Sequence, residues 1–447
     1  MAARQASTPV LRLRGTSVTF EIALGAFGAL LMLGAVLSGV ASRGMLSLIL
    51  VFLVGGFVLG PGVSGALRLH ATSGFVSDLT VAALIVILFR DGLEVESEML
   101  RAHWRLPARK LAIGLPITAG IVALVTRLAV GLPWLQSCLV GVLLAPTDPM
   151  LSSGVVSDPR VPAVVRHSLN LESGFNDGLA LPAVLALVDA LETTSHGFVW
   201  WRFALQDIGV GVLFGLLCGL FASTVMPRAR GASIEPHQVA VFGLGVALAT
   251  FSATVLPPHG NGLIAVYTCA IVLGSRRPDL PEAMIEGTSA LAEMVKVGVF
   301  GVFGSLLTLN GLSTMGWGAV AVVLGALVLA RPVAVWIALA GTQLGSSTKA
   351  FMAWFGPKGA ATITFSLLVS GRAIPHASEI FDITALAVVA SAVAHGLTET
   401  SGIRHIAGTG GLRTDAELRG VPARIEHGRD RAAPRVARTS SQAPSET

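Results

Sequence analysis

Long apolar segments separated by short polar stretches run along most of this chain. A window of roughly 19 residues, close to the length of helix that crosses a bilayer, predicts about thirteen membrane spans. The short alternating strands of a membrane barrel are not seen, so we expect an all-α integral membrane protein. The predicted spans cover residues 18–41, 44–60, 75–95, 108–130, 133–149, 161–188, 204–226, 236–256, 260–275, 282–306, 315–340, 350–371 and 378–398.

The composition agrees with a membrane protein and indicates no cofactor. Of the 447 residues, 53% are hydrophobic and 13% are charged, whereas roughly 25% are charged in a typical soluble domain. The three cysteines, Cys138, Cys218 and Cys269, fall inside apolar segments and form no disulfide or metal-binding pattern. The net charge of +5 comes mostly from short loops and the C-terminal segment. We take it to set the orientation of the chain in the bilayer and not to indicate nucleic-acid binding.

Basic residues concentrate in the loops on one side of the predicted spans. The loop between the third and fourth spans is an example, and its basic residues are Arg101, Arg105, Arg109 and Lys110. The positive-inside rule therefore places the C-terminus in the cytoplasm, for a protein of the inner (plasma) membrane. An odd number of spans then puts the N-terminus outside, which conflicts with Arg4, Arg12 and Arg14 near that end.

The order of the spans indicates an inverted repeat, in which six spans, one linking span and six further spans follow each other. Secondary transporters often have this plan, with helices interrupted near the middle of the membrane. We expect repeats at about 18–188 and 236–398, around a linking span at 204–226. The other divisions are an N-terminal segment at 1–17, a membrane domain at 18–401 and a disordered basic cytoplasmic tail at 402–447.

Two spans at equivalent positions of the repeats contain helix-breaking residues. The fifth span holds Pro-Thr-Asp-Pro at 146–149, and the twelfth holds Gly-Pro-Lys-Gly at 356–359. Backbone groups freed by such breaks are tolerated at membrane depth only beside protein or a wet cavity. We therefore expect two broken helices that cross beside a binding site.

Two carboxylates mark that site. Asp177 lies within the sixth span and Asp148 at the break in the fifth, although a charge at mid-bilayer costs about 2.5–3.5 kcal/mol. Ser173, Asn176 and Asp177 can share a helix face, and Thr147 and Asp148 can supply oxygens from the opposite side. Oxygen ligands suit a hard cation such as Na⁺. A buried carboxylate can hold a proton or a cation but not both, which permits exchange without ATP.

Four segments resemble motifs of the cation/proton antiporter-1 family, the sodium/proton exchangers of the NhaP and NHE type. Residues 169–178 (Leu-Asn-Leu-Glu-Ser-Gly-Phe-Asn-Asp-Gly) are similar to its sixth-helix signature, and residues 145–149 (Ala-Pro-Thr-Asp-Pro) to its fifth-helix motif. Residues 88–93 and 356–359 are similar to its third-helix motif and its Gly-x-Arg-Gly element. The resemblance covers roughly residues 20–400 and implies the family's inverted-repeat fold.

The resemblance implies a role for each site residue. Asp177 would be the carboxylate that binds the cation and the proton, with Asp148, Thr147 and Ser173 as further ligands of Na⁺. Asn176 would brace the helix crossing. The Asn-Asp order is similar to that of electroneutral members, which implies exchange of one proton for one monovalent cation. We expect Na⁺ as the transported cation, with Li⁺ and K⁺ as alternatives. The resemblance also implies a homodimer and an antiporter of the prokaryotic type.

Three further charged residues carry supporting roles in the resemblance. Glu172 and Arg331 would form a structural ion pair between two helices, since Arg331 lies in an apolar stretch and needs a partner. Lys358 stands where the family's pattern has arginine, so the planar guanidinium that makes paired hydrogen bonds is missing there.

Asp91 and Lys296 have two interpretations each. We expect Asp91, beside Arg90, near the cytoplasmic interface; the alternative is that its carboxylate reaches the site from the side. We expect Lys296 to pair with Glu293, three residues earlier on one helix face. The alternative is that Lys296 adds a charge to the transport path.

Other functions fit the residues less well. A channel or uniporter could use the same carboxylates for selectivity, but inverted halves with paired helix breaks favour alternating access. An intramembrane protease is disfavoured because Asp177 lies in Phe-Asn-Asp-Gly and not in the Gly-x-Gly-Asp context of such enzymes. An electrogenic antiporter remains open and would require Asp148 to titrate as well.

Overall fold

In the computed structural model, all regular secondary structure of the described residues is helical. The structure describes residues 48–94, 105–148, 153–192, 198–226, 236–257, 259–277, 281–309, 311 and 316–408, and four helical positions between 25 and 32. The predicted segment 1–17, nearly all of the first span, Pro149 and residues 409–447 of the predicted tail lie outside these ranges.

The helices follow the order of the predicted spans from the second to the thirteenth. We number them α1 Leu48–Leu59, α2 Gly74–Leu93, α3 Arg105–Ala129, α4 Trp134–Leu143, α5 Ser153–Ser157, α6 Ala163–Glu192, α7 Trp200–Val225, α8 Pro236–Val255, α9 Gly262–Arg276, α10 Pro281–Leu306, α11 Gly316–Ala338, α12 Ser346–Trp354, α13 Ala360–Ser370 and α14 Ala377–Gly408.

Six helices are long and apolar enough to cross a membrane by themselves, namely α3, α6, α7, α8, α11 and α14. Shorter apolar helices include α4, α9 and α13. The all-α membrane class predicted from the sequence is thus confirmed. The last helix differs from the prediction, because α14 continues to Gly408 and so makes residues 402–408 helical, where we expected the disordered tail to begin.

The helix breaks predicted from the sequence coincide with two non-helical segments. Helix α4 ends at Leu143 and is followed by non-helical residues 144–148, while residues 355–359 separate α12 from α13. The two segments touch: the backbone N–H of Asp148 donates to the carbonyl of Pro357 at 2.8 Å. The hydroxyl of Thr362 in α13 also donates to the carbonyl of Leu143 at 3.1 Å. These contacts position the candidate site.

Helices α1 and α10 approach each other at backbone distance. A methyl group added at Gly304 in α10 would overlap the backbone of Leu53, and one added at Gly56 in α1 would overlap that of Gly301. Small residues permit this kind of packing between membrane helices. Phe52 on α1 and Phe300 and Phe303 on α10 belong to the apolar core beside the contact.

Gly304→Ala should lower the thermal stability of the purified protein, because the new methyl group forces α1 and α10 apart. Overpacking of this kind costs about 1–3 kcal/mol. Gly245→Ala in α8 is the matched control, since nothing lies within 4 Å of the position of its new methyl group. Melting curves with equal losses for both variants would contradict the proposed close packing.

Candidate cation and proton site

The contact between the two non-helical segments is built from reciprocal charge interactions. The ammonium group of Lys358 is fully buried and donates to the carbonyls of Ala145 at 3.4 Å and Pro146 at 3.3 Å. In return, the carboxylate of Asp148 accepts the backbone N–H of Ala360 at 3.1 Å. A cation therefore faces carbonyls just after α4, and an anion faces the first amide of α13. Both placements oppose the partial charges at helix ends.

Helix α6 is tied to the same segment by Asn176. Its side-chain amide donates to the carbonyl of Thr147 at 2.9 Å and to the Thr147 hydroxyl at 3.1 Å. These contacts agree with the bracing role that the resemblance implied for Asn176. The next residue along α6 is Asp177, which is only 5% exposed. Its Oδ1 is buried and accepts no hydrogen bond from any residue that the structure describes.

Other charged groups surround Asp177. Asp91, Asp148 and Lys296 all lie close enough to interact with it electrostatically. Three carboxylates and one ammonium group from four parts of the chain therefore share one buried region. Ser173 lies one turn before Asp177 on α6 and is half-buried. Ligation of a cation by Asp177, Asp148, Thr147 and Ser173 stays a prediction.

Asp91 is the next charged residue of this region, and its expected position near the cytoplasmic interface stays a prediction. Its side chain is buried near the C-terminal end of α2, with its Oδ1 3.6 Å from Nη1 of Arg90, which also pairs with Glu94. Helices α6 and α9 cover this end of α2, and a sequence pattern does not report which helices do so. The electrostatic interaction with Asp177 supports the alternative in which the carboxylate of Asp91 reaches the site from the side.

Lys296 contributes the ammonium group of this region. Its side chain is buried in α10, whereas Glu293 is exposed. Lys296 interacts electrostatically with Asp91 and Asp177. This placement favours the alternative in which Lys296 belongs to the charge cluster of the site, and not the helical pair with Glu293.

Glu172 is held in a separate ion cluster. Its Oε1 lies 2.9 Å from Nη1 of Arg331, the pair that the resemblance implied, and its Oε2 contacts the ammonium group of Lys110. Arg331 also donates to the carbonyls of Met352 at 3.4 Å and Phe355 at 3.3 Å, where α12 ends. Because both carboxylate oxygens are engaged by cations, Glu172 holds helices together and is not available as a ligand.

The two cations that contact Glu172 (Lys110 and Arg331) each lie at one end of a π-helical turn. The turn Lys110–Gly114 lies within α3, and the turn Gly325–Ala330 in α11 ends directly before Arg331. Such turns occur often at functional sites in helices. Here each one accompanies a cation that reaches the same carboxylate on α6.

Among the described residues, no group of three or more His, Cys, Asp or Glu side chains is arranged to hold a metal ion. A cation bound at the candidate site would therefore need hydroxyl or carbonyl oxygens in addition to carboxylates. Both are present beside Asp177 and Asp148, in the side chain and backbone of Thr147. Such mixed oxygen ligands suit a hard monovalent cation that binds and leaves.

A family model described as "Sodium/hydrogen exchanger, transmembrane" matches residues 28–401. The chain belongs to the sodium/hydrogen exchanger family. The resemblance drawn from the four motifs is thereby confirmed.

The sequence identity to individual antiporters is low. The chain is 27% identical over 387 residues to the K(+)/H(+) antiporter NhaP2 of Shewanella oneidensis, covering 84% of this chain and 66% of that protein. It is 24% identical over 309 residues to the "Probable Na(+)/H(+) antiporter 2" of Methanocaldococcus jannaschii, covering 66% and 72%. Thus the chain spans slightly less than two thirds of the length of the Shewanella relative.

The fold is shared with a solved member of the family. The structure of the sodium proton antiporter MjNhaP1 from Methanocaldococcus jannaschii at pH 8 aligns with a TM-score of 0.75 at 20% identity. The alignment covers 87% of this chain and 100% of that one. At this identity the likeness shows the fold of the exchanger and does not transfer individual ligands.

Two residues of these charge clusters and their surroundings were missed in the sequence. Lys110 was assigned to a basic loop, but it is buried and paired with Glu172. Its position inside the predicted span 108–130 was the available signal. Tyr267 in α9 is the only tyrosine of the chain, and its hydroxyl donates to the carbonyl of Gly174 at 2.9 Å, one turn before Asp177. That solitary occurrence was the only hint in the sequence.

Glu172→Gln should destabilise the protein more than Lys110→Met or Arg331→Met, because it leaves two buried cations without a counter-charge. Breaking a buried ion pair costs about 3–5 kcal/mol. The melting temperature and the folded yield in detergent measure the effect.

The matched control is Glu192→Gln, which breaks a partly exposed pair with Arg372 at 3.6 Å. Exposed pairs contribute about 0–1 kcal/mol, so this variant should melt close to the wild type. A smaller loss for Glu172→Gln than for Arg331→Met would argue against the three-charge cluster.

Proposed function

We propose that this chain is a secondary active antiporter that exchanges a monovalent cation for H⁺ by alternating access. The observation that carries the proposal is the buried carboxylate of Asp177, with an oxygen that accepts no hydrogen bond from the described residues. Membership of the sodium/hydrogen exchanger family supports the same activity. In this mechanism the cation and the proton are the substrates, and they compete for Asp177.

The competition follows from desolvation. A lone carboxylate charge is costly in a membrane interior, and the carboxylate lowers that cost either by protonation or by binding a cation. Each occupant excludes the other, so neither ion can cross without displacing the other from the site. If the empty, charged form cannot reorient, the two fluxes are coupled and the gradient of one ion drives the other.

The proposal extends to the architecture that such exchange needs. We propose that the two interrupted helices cross within the membrane, inside about thirteen spans arranged as inverted repeats. The hydrogen bond between Asp148 and Pro357 supports a direct contact of the breaks. We also propose a homodimer with its C-terminus in the cytoplasm, as expected from the family resemblance and the basic loops.

The transported cation is K⁺ or Na⁺ in this proposal. The Shewanella relative is named a K(+)/H(+) antiporter and the archaeal relative a probable Na(+)/H(+) antiporter. Our expectation from the sequence motifs was Na⁺. Because the two ions carry the same charge, the spacing of the oxygens around Asp177 must decide between them.

Electroneutral exchange of one proton per cation follows if Asp177 alone changes occupancy. A specific observation keeps electrogenic exchange as a second candidate. Asp91, Asp148 and Lys296 all interact with Asp177, so its protonation state is linked to theirs. If a second group in the cluster also changed its proton occupancy in each cycle, more than one proton would move per cation.

Asp177→Asn should abolish cation-dependent proton flux while the protein remains folded and inserted. An asparagine amide does not ionise, so it cannot take up a proton when a cation leaves or release one when a cation binds. Asp189→Asn is the matched control, since Asp189 is an exposed carboxylate farther along the same helix. Flux in reconstituted vesicles, with folding checked by size-exclusion chromatography, distinguishes the two variants. Exchange retained in Asp177→Asn would remove the proposal.

Proton flux measured against Na⁺, K⁺ and Li⁺ in turn identifies the cation and the charge balance. Electroneutral exchange should proceed at the same rate whatever voltage is imposed across the vesicle membrane, because no net charge crosses. A rate that changes with voltage would favour the electrogenic candidate. Cation flux without proton movement would instead indicate a channel or uniporter.

A further inference from the structure

Tyr267 lies at a junction of α2, α6 and α9. Its side chain is largely buried, and its hydroxyl donates to the carbonyl of Gly174 in α6 at 2.9 Å. That carbonyl belongs to the helical turn that carries Asp177. A carbonyl oxygen has two lone pairs, so it can accept the tyrosine hydroxyl in addition to its helical partner.

The aromatic ring fits against a glycine that directly follows a site carboxylate. A methyl group added at Gly178 would overlap the ring of Tyr267. Residue 178 follows Asp177, so the ring touches α6 where the backbone leaves that carboxylate. No side chain larger than hydrogen fits there unless the ring moves.

Asp91 on α2 is also followed by a glycine that packs against α9. Gly92 follows Asp91 in α2, and a methyl group added there would lie 2.9 Å from the carbonyl oxygen of Tyr267 and 2.7 Å from the side chain of Ala270. Each of the two Asp-Gly pairs therefore places its glycine against α9 at or beside Tyr267.

A third contact closes the junction between α2 and α6. A methyl group added at Gly174 would lie 3.4 Å from the carbonyl oxygen of Asp91. Gly174 thus meets α2 through its Cα and α9 through its carbonyl. Backbone-level packing of this kind leaves little slack, because a shift of one helix moves the others or opens a void.

We propose that Tyr267 is a positioning residue that sets the separation between the carboxylates of Asp91 and Asp177, and thereby the affinity and selectivity for the cation. This inference rests on the proposed function. Tyr267 touches neither ion in this role. It acts through the backbone of α6, where its hydroxyl holds one turn and its ring holds the next.

Cation selectivity is the property that such spacing would control. Cations of equal charge differ in the distance at which oxygens must be held, and a site discriminates between them only if its oxygens cannot adjust freely. A hydrogen bond that removes freedom from α6 therefore favours one ion size over another.

Tyr267→Phe removes the hydroxyl and keeps the ring. We expect the apparent KM for the cation to rise about two- to tenfold, the size of effect of one hydrogen bond, with kcat changing less and with a smaller preference between Na⁺ and K⁺. Ser305→Ala is the matched control, because it removes a buried hydroxyl that donates to the carbonyl of Val302 at 2.7 Å in α10. The control should retain both KM and selectivity.

Equal effects of Tyr267→Phe and Ser305→Ala would overturn the inference, as would a Tyr267→Phe variant that exchanges with unchanged KM and selectivity. Either result leaves the proposed antiport intact, because the wild type still exchanges. Loss of the proposed function would be seen separately, as absence of coupled flux in the wild type.

A second measurement does not depend on any variant of Tyr267 folding. Biosynthetic 3-fluorotyrosine labels the full chain at a single position, because Tyr267 is its only tyrosine. We expect one ¹⁹F resonance that shifts on addition of the transported cation and no longer responds in Asp177→Asn. A resonance insensitive to a cation that the labelled protein transports would overturn the inference, and so would an equal response in Asp177→Asn.

Discussion

The cost of placing a charge in an apolar interior constrains every polar contact described above. Few charged groups are buried in the described part of this chain, and each is found with a counter-charge, with backbone groups, or in the candidate site. Glu172 lies between Lys110 and Arg331, and Lys358 faces two carbonyls. Asp177 differs, because one of its oxygens accepts no hydrogen bond from the described chain. This oxygen is the feature on which the proposed binding of a cation or a proton rests.

Helix α6 carries two buried carboxylates in different surroundings, Glu172 and Asp177. Around Glu172 each carboxylate oxygen contacts a cation, and the cluster joins α3, α6, α11 and the end of α12. One turn along the same helix, the carboxylates outnumber the nearby ammonium group. Helix α6 thus carries, within six residues, a carboxylate that is paired with cations and one with an oxygen that accepts no hydrogen bond from the described chain, at Glu172 and Asp177. The paired carboxylate fixes the helix that carries the second one.

The features that could be predicted from the sequence are those that interrupt an apolar segment. Asp148, Asp177, Glu172 and Arg331 stand out because a charge inside an apolar run is rare, and the helix breaks stand out because proline and glycine interrupt such runs. Asp91 and Lys296 were visible as charges, but the sequence could not show which helices surround them. Which neighbours cover a residue depends on how closely helices approach, and that depends on glycines whose partners lie far along the chain. Tyr267 was missed for the same reason, since a neutral side chain at a helix junction has no signature in a hydropathy pattern.

The contacts of Lys358 and Asp148 limit which substitutions this chain tolerates. Lys358 supplies a cation to the carbonyls that follow α4, and Asp148 supplies an anion to the first amide of α13. A neutral substitution at either position would therefore leave the partial charge of a helix end unopposed at a place more than 200 residues away in the sequence. The position of Lys358 is the less demanding of the two in geometry, because a pair of carbonyls accepts an ammonium group without requiring the planar fork of a guanidinium.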